Sequence, residues 1–217
     1  MIDFHTHATP NGFKVAIALE EMGLPYDVHL VDMRAGEQFA PEFVAMNPNA
    51  KLPVIVDHDT GTTVYESNAI LEYLATKTGQ LMPAQTDADY WEARQLLYFQ
   101  AASVGPFFGQ RMHFSYLAPE TVPYGIARYE TEGARLQKVM DDMLVGRDYF
   151  LASGYSIVDI ALLGWYMTAV LAGYDDPAHK NLAAWHQRVS DRPAVQAGLG
   201  VPMRRDPSQL PPRKVVS

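Results

Sequence analysis

Cysteine is absent from all 217 residues. That excludes disulfide staples, zinc–thiolate sites and a cysteine nucleophile, so any sulfur chemistry must use sulfur that arrives with a ligand. Long apolar runs are missing too: none approaches the ~20 residues needed to cross a bilayer. The chain opens Met1-Ile2-Asp3 with neither a basic stretch nor an apolar signal core. The expectation is a cytoplasmic protein without a membrane partner. Cations are sparse, the formal charge being −8 with no basic stripe before the extreme C-terminus. Phosphate recognition needs clustered Lys and Arg, so nucleic acid is disfavoured.

What is present has the balance of a globular chain, 48% hydrophobic and 19% charged. The length suits one large domain or two compact ones. Residues 2–5 read as a short strand, and Thr9-Pro10-Asn11-Gly12 is a turn in which Asn can cap a helix. Val15, Ala18, Leu19 and Met22 then follow helical spacing until Gly23 and Pro25 stop it. Tyr26 to Val31 alternates as a strand. This β-α-β opening implies parallel strands joined by a right-handed crossover. Pro41 to Met46 fits a short helix, Leu52 to Asp57 and Thr62 to Tyr65 a hairpin, and Ser67 opens a helix closed near Gly79. Beyond Met82-Pro83 the strand signal fades, and helices are expected at 89–113, 121–144, 157–172 and 179–190. Ser156 and Asp159 have capping-box spacing, flanked by Tyr155 and Ile160 as a hydrophobic staple. Gly105-Pro106 suggests a kink.

Thr9-Pro10-Asn11-Gly12, Asn47-Pro48-Asn49-Ala50-Lys51-Leu52-Pro53-Val54 and Tyr65-Glu66-Ser67-Asn68-Ala69-Ile70 stand in the order of a glutathione transferase N-terminal domain. Tyr155-Ser156-Ile157-Val158-Asp159 and Asp191-Arg192-Pro193-Ala194-Val195 resemble the helical domain of the same family. Gly36-Glu37-Gln38-Phe39 and Pro123-Tyr124-Gly125-Ile126-Ala127-Arg128-Tyr129 point to the bacterial nu-class branch, which also resembles the yeast prion-forming nitrogen regulator. The resemblance spans roughly residues 1–199. It implies an α/β plus all-α fold. A thioredoxin-like, glutathione-binding domain at 1–83 is followed by a linker at 84–89, an all-helical domain at 90–200 and an extended tail at 201–217.

The same resemblance implies a glutathione-dependent disulfide-bond reductase and transferase. Its ligand is glutathione, reduced or oxidised, with no metal, and its second substrates are small disulfides or electrophiles. A homodimer is implied as well. Two readings stand beside it: a glutathione-conjugating transferase, and a regulator that binds glutathione without catalysis.

Glutathione offers an ammonium, two carboxylates and a thiol, and the site must meet each. Ser67, opening a helix, can hold the γ-glutamyl carboxylate, or it simply caps that helix. Glu66 is placed to pair with the ammonium. Leu52-Pro53 resembles the family's cis peptide, with the Leu52 backbone pairing with the cysteinyl unit; the plain alternative is a trans proline at a strand start. Thiol activation falls to Asn11 first and Thr9 second, against the alternative of an ordinary turn and cap. Gln38, Asn49, Lys51 and Arg128 complete the ligand contacts implied by the resemblance, with Arg128 coming from the helical domain.

A rival signal lies in Asp3-Phe4-His5-Thr6-His7, since His-x-His ending a first strand is the metal signature of amidohydrolase barrels. Such barrels need ~250 residues and repeated strands, which the helical second half does not supply. His5 and His7 are then a strand and a loop residue, and the remaining histidines, including His58 and His113, suggest no cluster. Tyr98, Phe99, Phe107, Phe108, Phe114 and Tyr116 fit either an electrophile pocket or helical core.

Overall fold

In the computed structural model, residues 1–204 and 210–214 are described. The elements follow in the order β1 (Ile2–Thr6), α1 (Pro10–Glu21), β2 (Tyr26–Leu30), α2 (Pro41–Met46), β3 (Val54–Asp57), β4 (Thr62–Tyr65) and α3 (Ser67–Thr78). Helices follow: α4 (Tyr90–Phe99), α5 (Gly105–Met112), α6 (Pro123–Met143), α7 (Ile157–Leu171), α8 (Lys180–Ser190) and α9 (Pro193–Gly198). The backbone divides into two compact units, Met1–Met82 with the described residues from Ser190 to 204, and Pro83–Val189 with residues 210–214.

The first unit is thioredoxin-like. Its sheet runs β2-β1-β3-β4, with β1 parallel to β2 and antiparallel to β3, and β3 antiparallel to β4. Ile2, Phe4 and Thr6 of β1 point to the buried side, the alternation expected of a strand with one face on a core. Helix α3 packs on β3 and β4 and α1 packs on α3, with Ile17, Leu19, Ile70, Leu71 and Leu74 fully buried. A six-residue helix that periodicity did not reveal, α9, packs along α1. The approach is close: a Cβ on Gly198 would sit 2.6 Å from the Ile17 backbone, so no larger residue fits without movement. The sequence reading started the third strand at Leu52. Pairing begins instead at Val54, because Pro53 has no N–H to give a ladder.

The second unit is all-helical. Its α7 is apolar on every side and buried along most of its length, as a central helix must be. The capping box forms: Ser156 Oγ accepts from Val158 N and Asp159 Oδ2 accepts from Ser156 N. The helix expected at 89–113 continues to Leu117, passing through π-helical turns at Gln100–Val104 and His113–Leu117. The first of these immediately precedes Gly105-Pro106, where the proline removes a backbone donor. Of the tail expected at 201–217, residues 205–209 and 215–217 lie outside the described residues. Residues 213 and 214 are held firmly: Arg213 pairs with Glu130 at 2.6 Å, and Lys214 donates to the Ser115, Ala118 and Glu120 carbonyls. Among the described residues no helix is long and apolar enough to cross a membrane.

Candidate functional site

Strand register gathers the site. Val54 lies opposite His5 on one side and Tyr65 on the other. The end of β1, the start of β3 and the end of β4 therefore share one margin of the sheet. From it emerge the loop carrying Thr9 and Asn11, the Leu52-Pro53 entry to β3, and the Glu66-Ser67 exit from β4.

At this margin α1 begins. Thr9 is its N-cap, extended at φ −126°, with Oγ1 accepting from Gly12 N at 3.0 Å. Asn11 is therefore not the cap, as the sequence reading allowed, but lies inside the first turn, half-buried. The reason is Pro10 at the first helical position: its ring keeps the preceding residue extended, which suits a cap. Thr9 keeps its own O–H as a donor. Gly12 is obligatory here, since a Cβ would meet His7 O at 2.5 Å and Thr6 Oγ1 at 2.6 Å. Neither α1 nor α3 carries an acidic residue in its first turn, so both N-termini present a positive end of the helix dipole to an anion.

Glu66 precedes α3 at φ +67°, exposed, in a backbone region that non-glycine residues seldom occupy. Ser67 is the first helical residue and buried, so it is not the cap that the plain alternative required. Its hydroxyl accepts from Lys14 Nζ at 3.3 Å, and Asn68 Oδ1 accepts from the same ammonium at 3.3 Å. Lys14 thus ties the second turn of α1 to the first turn of α3. Burial pushes its pKa down to about 7, with the Glu66 charge opposing.

The Leu52–Pro53 peptide is cis, as the resemblance implies. The loop before it is shaped by Asn47, a residue that local sequence pattern does not mark. Its Nδ2 donates to Lys51 O at 2.8 Å while its Oδ1 accepts from Asn49 N at 3.0 Å. Asn49 and Lys51 themselves are exposed. Gln38 sits in the 3-10 turn Glu37–Phe39, half-buried, with Oε1 buried and unpartnered. Register and the Lys14 link bring Thr9, Asn11, Leu52, Pro53, Glu66 and Ser67 to one margin. No strand pairing does the same for Gln38, Asn49 or Lys51.

Arg128 belongs to the second unit. Exposed on α6, it lines a groove of about 570 Å³ with Phe107, Tyr124, Ala127, Thr131 and Glu132. The helical aromatics lie in different surroundings. Phe108 is core, Phe114 stacks on Tyr129 at 5.3 Å, Phe107 faces the groove, and Tyr98 is exposed.

The histidines correct the sequence reading in one respect. Parallel register puts His5 beside His29, their rings stacked at 4.7 Å, and Asp3 contacts both His29 and His58, at 3.3 and 2.9 Å. A cluster does exist, gathered by strand pairing that local sequence could not show. The hydrogen bond from His58 holds the Asp3 carboxyl below its ordinary range. Among the described residues no group of three or more His, Cys, Asp and Glu is arranged to hold a metal ion.

The family model for the N-terminal domain of glutathione S-transferases matches residues 9–77. The disulfide-bond oxidoreductase YfcG of Escherichia coli (strain K12) is 39% identical over 204 residues, spanning 92% of this chain and 94% of that protein. A glutathione transferase homologue from Lodderomyces elongisporus, solved with two GSH per subunit, has a TM-score of 0.89 at 36% identity, covering 93% of this chain and 98% of its own. A glutathione transferase from Pseudomonas putida, solved with one glutathione disulfide per subunit, has a TM-score of 0.84 at 38% identity, covering 93% and 91%.

Proposed function

This chain belongs to the glutathione S-transferase family, and from that premise we propose that it is a glutathione-dependent disulfide-bond reductase. Its thiolate forms at the N-terminus of α1. The observation that carries the proposal is the union of a cysteine-free chain with two helix N-termini at one sheet margin, one bearing Thr9 and Asn11 and the other Ser67.

A free thiol has a pKa near ~8.5, so at neutral pH most of it is protonated. Donors from Asn11 and Thr9, together with the α1 dipole, favour the thiolate. The γ-glutamyl carboxylate rests on Ser67 and the first amides of α3, and Glu66 pairs with the adjacent ammonium. The Leu52 backbone, Gln38, Asn49 and Lys51 complete the cradle, and Arg128 serves a ligand carboxylate.

The chemistry then balances without a protein sulfur. The thiolate of one glutathione attacks a substrate disulfide, forming a mixed disulfide and expelling a thiolate that takes a proton from solvent. A second glutathione thiolate attacks the glutathionyl sulfur of that mixed disulfide. This forms oxidised glutathione and releases the other half of the substrate as a thiolate, which is protonated in turn. Both nucleophiles are ligands, which accords with the two GSH in the Lodderomyces elongisporus protein. A homodimer working in the cytoplasm is part of the same reading.

Reduction of 2-hydroxyethyl disulfide by purified protein with glutathione tests it. Turnover exceeding that with 1-chloro-2,4-dinitrobenzene supports a reductase. The reverse ranking points to a conjugating transferase, and no turnover with either would leave the chain a glutathione-binding regulator. The groove beside Arg128, with Phe107 and Tyr124, is the observation that keeps the conjugating reading in play.

A further inference from the structure

Lysine is among the side chains least often fully buried, yet Lys14 is 1% exposed in the middle of the fold. We propose that Lys14 is a positioning residue of the γ-glutamyl carboxylate site, fixing the Ser67 hydroxyl as a donor toward the ligand and lending its charge to the bound carboxylate. This rests on the glutathione reading above and deepens it.

A serine hydroxyl has one proton to donate and two lone pairs. An ammonium can only donate, so Lys14 Nζ occupies a lone pair of Ser67 Oγ and leaves the proton directed elsewhere. Ser67 is the first residue of α3, where unpaired amides already favour an anion. Lys14 therefore sets the orientation that a carboxylate at this helix end requires. It locks Asn68 in the same way through Oδ1.

Both of these acceptors are neutral oxygens, and burial outweighs the nearby Glu66 in lowering the lysine pKa to about 7. On the other elements packed against α1, α9 brings Gly198 against Ile17, and the Glu21–Arg192 ion pair closes the opposite end of the helix. Below pH 7 the side chain is charged before any ligand arrives, and above it the neutral form prevails. A carboxylate bound at Ser67 favours the charged form and raises the pKa. Binding above pH 7 must then take up a proton, and affinity must fall as pH rises through 7.

Calorimetric titration of the full chain with oxidised glutathione, which carries no thiol, tests this in buffers of contrasting ionisation enthalpy. If binding raises the lysine pKa by about one unit, uptake is about half a proton near pH 7.5 and affinity falls roughly fivefold between about pH 6 and 8. Lys14→Arg keeps a donor that does not titrate, so it should bind comparably at pH 6 with no uptake and a flat pH profile. Lys14→Met should bind roughly tenfold more weakly at pH 6, also with a flat profile. Wild-type binding without proton uptake, or uptake that persists in Lys14→Arg, overturns the assignment of Lys14 while leaving the glutathione site intact. Absence of binding by wild type at every pH overturns the glutathione reading itself, and the role of Lys14 with it.

Discussion

Lys14 in the first unit and Asp159 in the second are both buried ionisable groups in the opening turns of helices, and they are satisfied in opposite ways. Asp159 accepts from Phe150 N, Ser156 N, Ser156 Oγ and Trp185 Nε1 at 2.9–3.3 Å, donors that come from three parts of its own unit. Burial raises its pKa and those donors pull it back. It staples the start of α7 to α8 and to the preceding loop. Lys14 instead donates to the neutral oxygens of Ser67 and Asn68 in the first turn of α3, with the Glu66 charge just before that helix. A buried charge surrounded by its own protein's donors is structural. One placed behind a serine hydroxyl at a helix N-terminus suits the ligand-positioning role proposed for Lys14.

Substitutions should break the two halves of that comparison separately. Asp159→Ala leaves buried donors unsatisfied, including the Trp185 indole, and should lower unfolding free energy by about 3 kcal/mol or more. A shifted urea midpoint, with glutathione turnover per folded molecule retained, is the expected pair of results. Ser67→Ala should do the converse. The unfolding midpoint should move less than in Asp159→Ala, because Lys14 keeps Asn68 Oδ1 as an acceptor, while the KM for glutathione should rise roughly tenfold with kcat largely kept, since binding rather than bond rearrangement loses its contact. Steady-state kinetics at varied glutathione checks this. A Ser67→Ala enzyme losing kcat at constant KM would place the serine at the reacting sulfur instead.

Much of the fold was legible in the chain because its signals were local. The β-α-β opening, the hairpin after Pro53 and the Ser156–Asp159 capping box depend on residues close in sequence, and each forms. The identity of the first cap was harder, because Asn11 is a strong capping residue and only the restraint imposed by Pro10 shifts the role to Thr9. The burial of Lys14 was not legible. An isolated lysine on an amphipathic helix reads as solvated, but here α3 lies against one side of α1, and α9, nearly two hundred residues later in the chain, covers another. The histidine cluster around Asp3 was hidden for the same reason, since it comes from strand register rather than spacing. The π-helical turns were missed because each adds a residue to the helical period.

The central claim is that this chain borrows its reactive sulfur and holds it as an anion beside Asn11. Ultraviolet titration of the glutathione thiol bound to wild type and to Asn11→Ala addresses it directly. The account predicts a bound thiol titrating at least about one unit below the free value of ~8.5, reverting toward that value in Asn11→Ala. A bound thiol that titrates like free glutathione in the wild type, or a lowered pKa that Asn11→Ala leaves unchanged, would contradict it.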